Sequence, residues 1–314
     1  MAKDRIAIIT GGDSSERTVG LKTAAAVASA FRRMAIDFHV YEVQDFSQVL
    51  TIPIDEFTRV FIALHGGFGE NGTLQSYLEG LKTPYNGPSP QSSGVCMDKL
   101  LTKHVARGLG ILVPDFLFFR VAKDVSFNFV TNRLGSKFIV KPNGEGCSIG
   151  VTLIKDNFGD FDHAVELAAS FNRGILVEEF IEGQELSVCF FYDRVLPIMG
   201  LAYEESIFSW EAKYETDTTK KWFIELEDDV RAWVERDGLA LASSLALDYY
   251  RNDVIIRNGK PYLIELNTLP GLTPQSLFPK ACAQAGIDFD RMVGFMNGVG
   301  TSLPKLFPRS QQSS

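Results

Sequence analysis

The stretch Tyr249 to Pro279, YYRNDVIIRNGKPYLIELNTLPGLTPQSLFP, limits what this chain can fold into more than any other. Two apolar runs flank Asn258-Gly259, a turn signal, so the stretch reads as a β-hairpin. Arg251, Asp253, Glu265 and Asn267 interrupt runs that otherwise look buried, and a charge inside a buried strand needs a partner. With a three-residue connection, Asn258 to Lys260, Arg257 faces Pro261, Asp253 faces Glu265 and Arg251 faces Asn267, all on one face. A two-residue turn would divide the four between both faces, so the three-residue connection is expected. Two carboxylates at close range repel unless a cation lies between them. Oxygen donors with no His or Cys nearby suit Mg²⁺, which takes one or two carboxylates plus waters and substrate phosphates. A solvated edge hairpin with incidental charges would carry the same residues, but the loop after Asn267 argues against that reading.

This loop is Thr268-Leu269-Pro270-Gly271-Leu272-Thr273, and Ser276 stands beyond it, ahead of a helical run. The loop brings backbone N–H groups and a hydroxyl to a helix start, an arrangement that binds anions. The succession of an Arg-x-Asp strand, a Glu-x-Asn strand and a Thr-x-Pro-Gly-hydrophobic-Thr loop resembles the C-terminal signature of the D-alanine:D-alanine ligases of the ATP-grasp superfamily. That resemblance implies an α/β protein, α+β in the ATP-binding part, with an ATP-grasp fold and an N-terminal domain built on an open parallel sheet.

The rest of the chain is consistent with it. Arg5 to Thr10 is an apolar run, Gly11-Gly12-Asp13-Ser14-Ser15-Glu16 breaks it, and an Ala-rich helical pattern continues to about Arg33, the opening of an α/β unit. Further strands are expected at Asp37 to Val43 and Arg59 to Leu64, the second ending in HGGFGENGTLQ. His65 and Glu70 thus fall at the carboxyl end of a strand, where ligands bind in open parallel sheets. The string is similar to the family's HGxxGEDGT motif, with Asn71 in place of Asp. Tyr85 to Pro90 has the composition of a linker. Cys96-Met97-Asp98-Lys99 resembles the family's MDK segment. Lys137 to Pro142 and a strand ending at Lys155 enclose a glycine-rich connection, Asn143 to Gly150, with Lys141 at its mouth; such a loop can fold over phosphates. It is not a P-loop, because Lys precedes the glycines. Ile175 to Glu185 supplies another strand and a polar turn, and Leu186 to Tyr192 with Val195 to Leu201 a strand pair. Glu204 to Trp222 has no clean period, suits a surface lid, and contains Glu211-Ala212-Lys213-Tyr214, an EAKY-type segment. Asp228 to Leu245 reads as a helix.

The resemblance assigns roles. Glu16 and His65 fall at first-substrate positions, and Arg251 and Ser276 at positions that hold the second substrate's carboxylate. Lys99, Lys141 and Lys213 match residues that meet nucleotide phosphates. Glu178, Glu179, Ile181 and Glu185 lie in the hinge that takes base and ribose. Asp253, Glu265 and Asn267 match the ligands of two Mg²⁺ ions, with Mn²⁺ able to substitute. Arg251 and the Gly271 N–H would stabilise an oxyanion, and Tyr214 would close over the site. Two departures stand out. Cys147 occupies a position that is usually Ser, in a hydrogen-bonded set with Glu16 and Tyr214. A thiol is the weaker partner, so a looser set is expected unless Ser148 substitutes. Val19-Gly20 stands where the family has Val-Ser.

The reaction implied is ATP-dependent ligation of two D-alanine molecules through an acyl phosphate, for peptidoglycan precursors. The implied layout is a substrate-binding domain at 1–90, a central ATP-grasp domain at 91–183, and a C-terminal ATP-grasp domain at 184–314 with metal site and lid. Partners would be D-alanine and ATP, the assembly a homodimer, the location cytoplasmic. A net charge of −8 in 314 residues argues against a nucleic-acid surface. Cys96, Cys147, Cys189 and Cys282 form no C-x-x-C pair, which argues against zinc and a disulfide scaffold. The start has no apolar leader, and no apolar run is long enough to span a membrane. A related ligase of another amino- or hydroxy-acid pair and a non-catalytic nucleotide-binding module are the other readings; an NAD-dependent oxidoreductase would need a glycine fingerprint that is absent.

Overall fold

Ile6 to Ile9 is apolar without alternation, the pattern of a strand covered on both faces. In the computed structural model, which describes residues 5–155, 158–202 and 220–298, these residues are fully buried in β1 (Arg5–Gly11). That strand lies between β2 (Asp37–Val43) and β3 (Arg59–Ala63) in a parallel sheet of order β2-β1-β3. Helix Arg17–Arg33 covers one face through Ala24, Val27, Ala28 and Phe31. The expected open parallel sheet is present, but Tyr85 to Pro90 is not a bare linker. Tyr85 bridges Val60 as the sheet continues beyond β3. Asn86 is buried, accepts from the Ile62 N–H at 2.6 Å and donates to the Tyr249 hydroxyl at 3.1 Å. An amide that satisfies a buried backbone and a distant side chain fixes this crossing in place.

β4 (Phe116–Phe119), β5 (Lys137–Pro142), β6 (Thr152–Lys155) and β7 (Ile175–Glu179) form an antiparallel sheet of order β4-β7-β5-β6. Its own core includes Val130, Phe138, Phe161 and Val177. β8 (Gln184–Phe191), β9 (Arg194–Val195), β10 (Met199–Ala202), β11 (Lys220–Phe223), β12 (Tyr249–Arg257) and β13 (Lys260–Asn267) make a six-stranded sheet, ordered β11-β10-β8-β12-β13 with β9 on β8. Helix Asp228–Leu245, at the bounds expected, packs against it through Val234 and Leu241. Cys96, Ala106, Ile111 and Val113 join the same core. Leu269, Leu272, Phe278 and Met292, beyond the hairpin, pack instead with the parallel sheet, so one cluster runs from β1 to the chain's last described helix.

Candidate active site

The hairpin brings the four polar residues together by a different route from the one expected. Arg257 pairs with Lys260, so the turn is the two residues Asn258 and Gly259. Both have positive φ, 53° and 73°, which matches a type I′ hairpin turn. Asp253 nevertheless faces Glu265 and Arg251 faces Asn267, because a β-bulge between Val254 and Asp253 absorbs Ile264. The extra residue restores the register that the short turn would have lost. It also re-aims a side chain, since Ile264 lines a cavity of about 80 Å³ beside the strand.

That cavity is bounded by the apolar Ile139, Phe180, Ile181 and Ile255 and by the polar Lys99, Lys141, Glu178, Glu179 and Glu185. It adjoins a larger one, about 400 Å³, lined by Glu16, His65, Glu70, Gly146, Cys147, Lys221, Arg251, Asn267, Gly271 and Ser276. Ser148, Asp253 and Glu265 line both. One chamber suits a flat, partly apolar ligand with anionic groups, the other a small zwitterion, and they meet at a carboxylate pair.

Each carboxylate at the junction is matched by a side-chain cation. Arg251 donates from Nε and Nη2 to the two oxygens of Asp253 at 2.9 and 3.0 Å, a bidentate contact. Lys99 Nζ lies 2.6 Å from Glu265 Oε1. Burial works against the Lys99 charge, but Glu265 outweighs it and the ammonium is held above its usual range. Asn267 Oδ1 is buried without a hydrogen-bond partner, an orphan acceptor aligned with two carboxylates. Among the described residues no three His, Cys, Asp or Glu side chains are grouped to hold a metal, so the oxygen set here is two carboxylates and one amide.

Lys99 opens helix Lys99–Gly108, capped by Asp98, which accepts from the Leu101 N–H at 2.9 Å. Asn143, at the base of the glycine-rich loop, accepts from the Lys99 N–H at 3.0 Å through its carbonyl and from the Leu100 N–H at 2.8 Å through its side chain. The loop and the lysine are thereby tied together. Lys141 Nζ lies 2.9 Å from Glu178 Oε1, and Lys103 Nζ lies 3.0 Å from the same oxygen. Burial alone would raise the Glu178 pKa; the two ammoniums reverse that and hold it low. Glu179 pairs with Arg257, and Ile181 is buried.

On the other side of the junction Glu16 is 9% exposed, and burial raises its pKa. The Cys147 thiol donates to Glu16 Oε1, which pulls the other way, and the charge of Glu265 pushes up again. His65 is buried, with Nε2 3.0 Å from the Thr23 hydroxyl, and burial pushes its pKa down to about 4, so the ring is neutral at neutral pH. Glu70 accepts from the Gly66 N–H at 2.6 Å and the Leu269 N–H at 3.2 Å. Burial first, and the Glu16 charge second, push it up to about 8. Glu70 and Thr23, which accepts from the Leu272 N–H at 3.2 Å, fasten the His65 loop to the Thr268–Thr273 loop. Ser276 Oγ bonds the Thr273 hydroxyl at 2.8 Å beside Gly271.

Comparison with known proteins decides the family. The family model described as D-ala D-ala ligase C-terminus matches residues 105–296. A D-alanine–D-alanine ligase from Clostridium botulinum is 33% identical over 290 residues, 92% of this chain and 96% of the relative. The chain belongs to the D-alanine–D-alanine ligase family. The crystal structure of the Bacillus anthracis D-alanine–D-alanine ligase superposes with a TM-score of 0.84 at 31% identity, covering 93% of this chain and 96% of that one. The same ligase complexed with ATP gives 0.82 at 29% identity, covering 94% and 96%. The ATP-grasp fold and the ligase class expected from the sequence both hold.

Within this ligase family the two departures have physical readings. Of the set expected around Cys147, the thiol's own bond to Glu16 is present, while Tyr214 lies outside the described residues. Cys147 and its neighbour Ser148 both have left-handed backbone, φ 53° and 60°, a costly conformation for residues with a Cβ. Gly20 is a packing requirement: a Cβ there would stand 2.9 Å from the Ala63 carbonyl oxygen, to which the Thr10 hydroxyl already donates at 3.1 Å. Asn71 accepts from the Thr73 N–H at 3.0 Å, an Asx-turn bond that Asp would make equally well. Lys213 and Tyr214 lie outside the described residues. Lys103, Glu70, Thr23 and Asn143 are the members of the site that sequence reading did not assign.

Proposed function

We propose that this ligase joins two D-alanine molecules into D-alanyl-D-alanine with ATP as the energy source, supplying a peptidoglycan precursor. ATP would lie in the smaller cavity, its base against Ile139, Phe180, Ile181 and the bulged Ile264, its ribose toward Glu185, and its phosphates toward Lys99 and Lys141. Support comes from the two adjoining cavities, which share Asp253 and Glu265 in their linings, so that an amino acid carboxylate bound in the larger would lie next to phosphates bound in the smaller.

The first D-alanine would be held by Glu16, whose carboxylate takes the ammonium group, with Cys147 fixing the rotamer and neutral His65 beside it. Its carboxylate oxygen attacks the γ-phosphorus, the bond to the β-phosphate oxygen breaks, and ADP leaves. The amine of the second D-alanine, as the free base, then attacks the acyl carbon, the C–O bond to phosphate breaks, and the proton shed by the new amide nitrogen leaves with the phosphate. Arg251 would release Asp253 to hold the second carboxylate with Ser276, and Arg251 with the Gly271 N–H would stabilise the tetrahedral oxyanion. Asp253, Glu265 and the orphan Asn267 Oδ1 fit two Mg²⁺ ions, or Mn²⁺, as hard oxygen donors. Bound there, the ions would neutralise and orient the β- and γ-phosphate oxygens. Lys213 would add to that neutralisation and Tyr214 would help exclude water from the acyl phosphate.

The three sheets support a division near residues 90 and 183, with the segment through Val113 packed on the C-terminal core. We propose a cytoplasmic homodimer. No helix among the described residues is long and apolar enough to cross a membrane. ADP release and dipeptide formation, measured against D-alanine, L-alanine, D-serine and D-lactate, test the substrate class. Turnover with another pair and none with D-alanine would discard it.

A further inference from the structure

We infer that Lys103 is a positioning residue for the nucleotide: by holding Glu178 Oε1 from behind the smaller cavity, it leaves Lys141 able to turn from that oxygen to a phosphate. The inference deepens the nucleotide reading above and rests on it.

Lys103 and Lys141 both reach one oxygen of one buried carboxylate, at 3.0 and 2.9 Å. Two ammoniums on a single carboxylate leave one positive charge in excess, in a place where solvent does little to spread it. The two lysines are not equivalent. Lys141 and Glu178 line the smaller cavity. Lys103 is 2% exposed, with its ammonium 5.9 Å from the Phe116 ring centroid and its helix pinned to Asn143 at the first turn. Lys103 sits one turn after Lys99, so the helix offers one ammonium to Glu265 and the next to Glu178.

A buried carboxylate left without a cation is costly. If Lys141 were the sole partner of Glu178, moving it onto a phosphate would strand that charge, and the phosphate would have to compete against Glu178. With Lys103 in place, Glu178 stays paired whichever way Lys141 points. Burial draws the Lys103 ammonium down to about 8, partly offset by Glu178, so it is charged at neutral pH. The remaining charged groups nearby, Lys99 and Lys141, disfavour that charge, so Glu178 is the carboxylate that stabilises it.

The test is steady-state kinetics of the full-length chain with MgATP and D-alanine. K103M is expected to raise the KM for ATP about tenfold, the scale of one charge-assisted contact, while the KM for D-alanine stays within about twofold. E178Q removes the charge that competes for Lys141, so K103M/E178Q should match E178Q alone in its KM for ATP. A structural role for Lys103 would move both KM values together and would not be relieved by E178Q. If K103M alone does not fold, the comparison of E178Q with K103M/E178Q decides: equal KM values for ATP uphold the inference, and a further tenfold rise overturns it. Wild-type turnover with an unchanged KM for ATP in folded K103M overturns this inference alone. A wild-type chain that neither binds nor consumes ATP overturns the nucleotide reading and the inference with it.

Discussion

Removing the Cys147 thiol should move the acid limb of the pH–rate profile upward. Glu16 must be ionised to hold an ammonium group, and burial and the Glu265 charge already raise its pKa, against the Cys147 hydrogen bond and the charges of Lys99 and Arg251. A hydrogen bond to a charged group contributes about 1.5–3 kcal/mol, and a thiol donor belongs at the low end. Losing it leaves burial and the Glu265 charge less opposed, so the Glu16 pKa rises further, and about 1.4 kcal/mol of lost stabilisation moves an acid limb by about one pH unit. In C147A the profile of kcat/KM for D-alanine, at saturating ATP, should therefore fall off on the acid side about one pH unit higher than in the wild type. C147S, with a stronger hydroxyl donor, should shift the limb downward by roughly a few tenths of a unit. An acid limb that does not move in folded C147A would refute the argument, because Glu16 would then be ionised by something other than the loop.

The same packing and charges set other outcomes. G20S places a Cβ 2.9 Å from the Ala63 carbonyl oxygen and should cost about 1–3 kcal/mol of stability, seen in chemical denaturation; an unchanged midpoint contradicts the close-packing reading. Glu70 has a folded-state pKa of about 8 against 4.5 unfolded, so folding retains a proton that the unfolded chain gives up between those values. Its contribution therefore falls as pH rises from about 4.5 to 8. E70Q should flatten the decline in thermal midpoint over that window, and a parallel decline in both proteins removes Glu70 as its source. N267A should weaken Mn²⁺ binding in a nucleotide-loaded protein about tenfold or more, read by paramagnetic relaxation, with the fold intact. Equal binding would exclude Asn267 as a ligand.

Local patterns carried most of the architecture. The unbroken apolar run Ile6 to Ile9, the helix Asp228–Leu245 and the paired strands around the glycine-rich loop are all set by short-range signals, and they appear where those signals place them. The juxtaposition of Asp253 with Glu265 was legible too, though through the wrong turn. Asn258-Gly259 demanded a two-residue turn, and the bulge at Ile264 that rescued the register has no local signature, since it depends on what the strand packs against. Lys103 shows why part of the site was not legible. Its spacing from Lys99 was visible, but the carboxylate that gives it meaning lies 75 residues later in sequence, on β7. Glu70 and Thr23 were hidden in the same way, because each bonds a loop some 200 residues or more along the chain. Tyr85 to Pro90 is a connection between helices, as its composition suggests, but the bonds that Asn86 makes on both sides of the crossing have no local signature.

The most direct measurement is oxygen transfer. D-alanine labelled with ¹⁸O in its carboxylate, incubated with ATP and Mg²⁺, should yield D-alanyl-D-alanine, ADP and inorganic phosphate carrying one labelled oxygen per turnover, because the carboxylate oxygen that attacks phosphorus leaves with it. Phosphate that forms without label alongside the dipeptide would contradict an acyl phosphate at the junction of Asp253, Glu265 and Asn267.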